Sequence, residues 1–238
     1  MNKFFNMNSP FFQFMEKVAN LIILNVLFML GCIPIVTIGT SITATYYVAL
    51  KMVRGEDPYI IKNYWKAFKK NFRQSVILHI IMLVIAYVLY LDYELVYNPD
   101  TPYGKGTFIV LIVLSVIYIF VNLYAYPFLA QFYNSIPKII QNSLFMSIRH
   151  LGQTIAMLLV YSLPVWMIVL LGFDNFLVCL FALFLLGFSS MIYLNASLLV
   201  KVFDKYIPEQ DEEYVAPEER VFEDESHRVQ EQNDIVEE

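Results

Sequence analysis

His79 is the single Asp, Glu, Lys, Arg or His residue within the long apolar runs of this chain. An ionisable side chain at bilayer depth is costly unless paired, and such groups tend to mark proton or ion paths. His79 also lies only a turn or two from Arg73, and that position favours an interfacial, hydrogen-bonded histidine. Three amides, Asn25, Asn122 and Asn195, interrupt other apolar runs. Hydrogen bonding between helices is their expected role, worth about 0.5–2 kcal/mol each, with lining of a solute path as the alternative. Arg54, Glu56 and Asp57 close the second apolar run. They read as a helix exit and a cap for the next helix, or else as a docking or gating contact for a partner. Beyond them Lys62, Lys66, Lys69, Lys70 and Arg73 recur beside Ile61, Trp65, Phe68 and Phe72. An aromatic face next to a cationic face is the chemistry of anionic lipid headgroups, with rings in the acyl boundary and cations among the phosphates. Nucleic acid suits the cations but not the adjoining rings.

Other chemistries lack their residues. The sequence has no GxxxxGK[ST] phosphate loop, no HExxH and no Cys/His cluster. No Ser, His and carboxylate fall at one membrane depth, and no row of intramembrane Asp, Glu or Arg marks an ion-coupled route. The expectation is a protein that is not an enzyme, with no cofactor, no metal and no catalytic residue. Cys32 and Cys179 lie in apolar runs and read as small packing residues.

The elements that carry these residues are membrane spans. The chain is 58% hydrophobic and only 16% charged, against about 25% charged in a soluble domain. The stretch Gly106 to Pro137 contains no Asp, Glu, Lys or Arg. A crossing helix needs about 20 apolar residues for a hydrocarbon layer about 30 Å thick. A first span covers 18–36. The Thr- and Ser-rich segment that follows would overrun one crossing, so a break at Pro34 to Gly39 and a short second helix from about Thr40 to Val53 are predicted. Further spans are expected at 74–91, 107–129, 153–171 (bent at Pro164) and 176–200. An amphipathic helix capped by Asp57 and Pro58 should lie flat on the bilayer over 58–73, and a second, capped by Ser135, over 135–149. The fold class is an all-α polytopic bundle of six transmembrane helices, or five if 37–50 is peripheral, with two cytoplasmic amphipathic surface helices.

Lys and Arg concentrate in 51–73, which places that segment in the cytoplasm. Alternation then puts 92–105 outside, 135–149 inside and the C-terminus inside, with the N-terminus inside for six spans. The first ten residues show no cleavage pattern, so the first span should be retained. Residues 1–205 form the membrane domain. Residues 206–238 form an acidic tail, in which 13 acidic residues from Ile207 onward face only Arg220 and Arg228. That composition cannot bury enough apolar area to offset chain entropy and is expected to be mostly disordered.

The segment from Gly31 to Asp57 resembles the opening signature of the YesL-like bacterial membrane proteins, a family of unknown function. The matching residues are Pro34, Ile35, Thr37 and Gly39 in the turn, Tyr46 and Tyr47 in the small-residue helix, and Lys51, Val53, Arg54, Gly55, Glu56 and Asp57 at its exit. The following aromatic and basic helix through Phe68, Lys69 and Phe72 also fits, and the resemblance extends over about residues 1–205. It implies a multi-pass protein of the bacterial cell membrane. Members are often encoded beside carbohydrate-uptake components of the ATP-driven importer type, which implies a non-catalytic accessory or regulatory role with a membrane permease as partner. It supplies no binding or catalytic residues. A small-solute facilitator or transporter, or a lipid- and envelope-interacting protein, are the competing expectations.

Overall fold

The structure is a computed structural model that describes residues 10–56, 59–97, 105–172 and 175–206. Every regular element among them is helical. The seven helices are α1 (Pro10–Cys32), α2 (Ile38–Arg54), α3 (Ile60–Tyr97), α4 (Lys105–Gln131), α5 (Ile136–Arg149), α6 (Leu151–Leu171) and α7 (Phe176–Phe203). Five of them, α1, α3, α4, α6 and α7, are long and apolar enough to cross a membrane. Residues 1–202 and 203–238 form separate units. Asp57, the 98–104 segment, Asp174 and the acidic tail from Ile207 lie outside the described residues.

The break between α1 and α2 falls where Pro34 was expected to impose it. A single 3₁₀ turn, Ile35–Thr37, follows Pro34, and the Thr37 hydroxyl donates to the carbonyls of Gly31 and Pro34 at 2.8 Å. The bond to Gly31 satisfies a carbonyl that the end of α1 leaves without a helical partner. The far end of α2 closes on Gly55, whose φ of 74° is open to glycine. Its N–H donates to Met52 O, and the Glu56 N–H donates to Lys51 O at 3.0 Å. This pair of bonds is a Schellman cap, so the Lys51 to Glu56 exit is first of all a helix stop.

Three expectations are corrected. The amphipathic segment 58–73 and the span 74–91 are not two elements; both belong to the 38-residue α3. The physical reason is that no Gly or Pro occurs between Ile60 and Tyr97, so nothing breaks the i→i−4 ladder. A helix of that length is about 57 Å at ~1.5 Å per residue, well beyond one hydrocarbon layer. The same continuity carries Asp92 and Glu94 into helix, where a loop had been predicted. Ser135 stands at the start of α5 as predicted, but its side chain makes no capping bond.

Helix α2 is the one wrapped by its neighbours. Thr40, Ser41, Thr43, Ala44, Thr45, Tyr46, Val48, Ala49 and Leu50 are all buried. Its Ala44 and Val48 pack in one apolar cluster with Leu24 and Leu27 of α1 and with Ile60, Tyr64 and Ala67 of α3. Small residues permit that approach, as they do between helices in lipid. The outer helices reverse the usual pattern of a water-soluble protein. Val165, Val169 and Leu170 of α6 and Ile109, Val110 and Val113 of α4 are exposed. Apolar surface on this scale matches acyl chains and not water.

Candidate functional site

Many of the buried polar groups of the membrane body gather around α2. Ser41 Oγ donates to Phe28 O of α1 at 2.8 Å and meets the Tyr64 hydroxyl of α3 at 2.9 Å. Ser75 Oγ of α3 donates to Thr43 Oγ1 at 3.2 Å. The Tyr46 hydroxyl meets that of Tyr161, on α6, at 2.7 Å. At the exit, Arg54 Nη1 donates to Gln131 Oε1 of α4 at 2.9 Å. One short helix thus joins four others by side-chain hydrogen bonds. In hydrocarbon each such group must find an internal partner, and the Thr- and Ser-rich composition of α2 supplies them.

The expected site residues fall into three places. His79 is buried, its Nδ1 is 2.8 Å from the Tyr126 hydroxyl of α4, and its Nε2 has no protein partner. Its side chain fits only because residue 39 is glycine: a Cβ there would lie 2.6 Å from the His79 Cβ and 3.1 Å from the Ser75 carbonyl. Asn25 is buried in α1 and clasps α7. Its Nδ2 donates to Phe184 O, and its Oδ1 accepts from the Ser189 N–H at 3.0 Å. These are the two groups that an i→i+5 ladder joins, at the end of a π-helical turn over Leu183–Gly187. A side chain inserted in the ladder is a recognised source of such irregularity. Asn195 is fully buried farther along α7. Asn122 is half-buried in α4 and lies beside Tyr118.

Arg54 and Glu56 are engaged locally, Arg54 with Gln131 and Glu56 with Lys51 at 3.8 Å. The geometry accounts for both as parts of the α2 exit. Lys62, Lys66, Lys69, Lys70 and Arg73 are exposed on α3, together with Ile61, Trp65 and Phe72. Phe68 is partly buried and lies against the rings of Tyr64, Trp65 and Phe72, edge-on to Trp65 and tilted to the other two. The inward side of the same stretch is Asn63, Tyr64, Ala67 and Asn71. The rings of Trp65 and Phe72 therefore face outward, while Tyr64 packs inward with Asn63, Ala67 and Asn71.

Sequence reasoning missed the phenols. Tyr46, Tyr64, Tyr124 and Tyr126 are almost wholly buried, each with its hydroxyl on a partner from another helix. A tyrosine inside an apolar run reads as a large hydrophobe. The available signal was the hydroxyl itself, which must be satisfied wherever it is buried.

A multi-pass helical membrane protein is what these helices and this surface define. Within that class the comparisons agree with the YesL-like resemblance. Residues 21–93, which hold α2 and most of α1 and α3, match the family described as "Protein of unknown function, DUF624". The chain is 26% identical over 148 residues to the uncharacterized protein YesL of Bacillus subtilis (strain 168), covering 62% of this chain and 69% of YesL. It is 26% identical over 157 residues to the uncharacterized protein YteU of the same organism, covering 66% of this chain and 69% of YteU. No solved structure matches.

Proposed function

We propose that this protein is a non-catalytic accessory or regulatory component of the bacterial cell membrane, associated with carbohydrate uptake, with a permease subunit as its partner. The observation that carries the non-catalytic part is the use made of the polar side chains around α2. Ser41, Thr43, Tyr46, Arg54 and Ser75 each bond a neighbouring helix, which suits a scaffold that holds its shape. The carbohydrate association is what the YesL-like resemblance implies. In this reading α2 completes a sixth crossing, and the cationic half of α3 and helix α5 lie on the cytoplasmic side, as the Lys and Arg distribution requires. The exit at Arg54, Glu56 and Asp57 and the acidic tail are the surfaces offered to the partner. Crosslinking in native membranes, followed by identification of the attached protein, tests the reading. Recovery of a carbohydrate permease subunit supports it, and recovery of only unrelated abundant membrane proteins overturns it.

The exposed Lys62, Lys66, Lys69, Lys70 and Arg73 beside Trp65 and Phe72 favour a second reading, in which the protein binds anionic lipid headgroups and serves the envelope. Solute facilitation, the remaining alternative, draws on the interrupted α1–α2 pair, because broken helices line transport sites. Solute flux into liposomes containing this protein alone would replace the accessory reading with that one.

A further inference from the structure

The ring of His79 is bonded on one side only. Nδ1 is 2.8 Å from the Tyr126 hydroxyl of α4, while Nε2 is buried without a protein partner. A neutral imidazole meets this arrangement with Nδ1–H donating to the phenol oxygen and Nε2 left as a lone pair. Helix α2 closes over the base of the same side chain. A Cβ on residue 39 would lie 2.6 Å from the His79 Cβ and 3.0 Å from its Cγ, so glycine backbone alone fits there.

Protonation turns both ring nitrogens into donors. The Nδ1–H still donates to the Tyr126 oxygen, so the bond to α4 survives. The new Nε2–H meets no acceptor, and a buried donor without one bears its full desolvation cost, larger when it is charged. The elements packed on α3 are α1, the 3₁₀ turn, α2 and α4, and none brings a counter-charge to the ring. From α4 come Tyr126 and, two turns earlier, Tyr118, whose hydroxyl donates to Met82 O. From α2 comes Gly39, whose carbonyl already accepts from Thr43 Oγ1 at 2.9 Å. The charges of α2, Lys51 and Arg54, stand at its far end. The turn has no charged residue, and α1 has none after Lys17, with Cys32 as the titratable group at its near end. On α3 itself the nearest charge in sequence is the exposed cation Arg73, and the first acid beyond the ring is Asp92.

We propose that His79 is a proton-operated latch on α2: neutral, it lets Gly39 seat against α3, and protonated, it parts the start of α2 from α3 while α4 stays bonded. Helix α2 is the partner that yields because it offers the ring no acceptor. The Ser75–Thr43 bond that joins the two helices a turn away is a neutral one, 3.2 Å long. The proton arrives from the lysine-bearing end, since Arg73 is six residues, or about 9 Å at ~1.5 Å per residue, from the ring. A proton held better by the parted state favours that state as pH falls. The seated state is therefore kept above, and lost below, about pH 6.5, where a hydrated histidine titrates. The latch rests on neither the partner reading nor the headgroup reading.

The test uses the full chain in lipid nanodiscs, with amide hydrogen exchange of α2 corrected for the chemical rate and α7 as the internal reference. Between about pH 7.5 and pH 5, on either side of the ordinary histidine value, exchange at the start of α2 should rise about tenfold or more. His79→Gln keeps a donor and an acceptor but takes up no proton, and there the rise should vanish. No rise in the unsubstituted chain overturns the latch, as does a rise that persists in His79→Gln. If His79→Gln does not fold, ¹⁵N-histidine spectra of the unsubstituted chain give the second reading, with His150→Gln and His227→Gln assigning the His79 signals by elimination. The imidazolium signature of His79 must then appear with the same pH midpoint as the α2 exchange, and a midpoint that differs, or an exchange rise with His79 still neutral, overturns the proposal.

Discussion

Gly39 and His79 occupy one another's space. A Cβ on residue 39 would stand 2.6 Å from the His79 Cβ, with the Ser75 carbonyl at 3.1 Å behind it. The contact is with the first atom of a side chain and with backbone, neither of which can swing aside. Helices α2 and α3 meet here, one turn from the Ser75–Thr43 hydrogen bond. Gly39→Ala should therefore push the two helices apart. Overpacking costs about 1–3 kcal/mol, and the better helix propensity of Ala returns up to ~1 kcal/mol. The expected net loss is about 1–2 kcal/mol, read as a lower unfolding midpoint in mixed micelles. An unchanged midpoint would mean that the helices are not this close.

Gly31 and Tyr64 make a related contact that can be relieved by a second substitution. A Cβ on residue 31 would run into the Tyr64 hydroxyl, with Ser41 Oγ at 2.9 Å. Gly31→Ala alone should destabilise by about 1–3 kcal/mol. Tyr64→Phe alone removes the hydrogen bond to Ser41 and should cost about 1 kcal/mol. Together they should cost less than the sum, because the phenyl edge no longer meets the new methyl. Strict additivity in a double-mutant cycle would place the two residues apart.

Asn25 carries a third prediction. Replacing it by Leu keeps the volume but leaves Phe184 O and the Ser189 N–H without the amide that bridges them. The loss should be about 1–2 kcal/mol, at the upper end of measured interhelix hydrogen bonds in membranes. Ser189→Ala removes the hydroxyl bonds to Leu21 O at 2.8 Å and to Leu186 O at 3.4 Å, keeps the backbone N–H for the clasp, and should cost less. Equal losses for the two variants would show that the π turn holds itself and needs no clasp.

What was legible in the sequence follows from length scales. Runs without charge gave the long helices, because a span must keep polar side chains out of lipid. Pro34 gave the α1–α2 break, and Gly55 stands at the α2 stop. The continuity of α3 was not legible in the same way. The pattern changes at Arg73 from amphipathic to apolar, which marks a change of environment along one helix and not a change of element. The uncharged stretch between Arg73 and Asp92 rises about 27 Å at ~1.5 Å per residue, so one helix can cross the layer and emerge at both ends. The polar network around α2 was only half legible. The Thr and Ser residues pointed to interhelix bonding, but the tyrosine partners of α2, Tyr64 for Ser41 and Tyr161 for Tyr46, lie 23 and 115 residues away in the chain. No local periodicity reports such pairs.

The cationic face of α3 should act on lipid and not on folding. Lys62, Lys66 and Lys69 are exposed and lie outside the packed side of the helix. Each basic residue near an anionic surface contributes about 1 kcal/mol, screened by salt. Changing Lys62, Lys66 and Lys69 to Gln should lower the preference for anionic over zwitterionic lipid, measured by native mass spectrometry of retained lipids, and leave the unfolding midpoint within ~0.5 kcal/mol of its starting value. Retention of the preference would remove the headgroup role from these residues.

The two ends of the bundle should be reached from opposite compartments. Gln74 Nε2 of α3 donates to Asn134 O, just beyond the end of α4, at 3.1 Å, and Arg54 meets Gln131 at 2.9 Å. The exit of α2, the lysine-rich start of α3 and the α4–α5 connection therefore share one end. Tyr97 is at the opposite end of α3 and is 90% exposed, while Tyr133 in the α4–α5 connection is 87% exposed. Single cysteines at Lys69 and Tyr133, in a chain whose Cys32 and Cys179 have been replaced by Ala, should react with an impermeant maleimide only in inverted vesicles. A cysteine at Tyr97 should react only in intact cells. The cation-rich end is expected inside because Lys and Arg resist translocation, and labelling of positions 69 and 97 from the same side would mean that α3 does not cross the membrane.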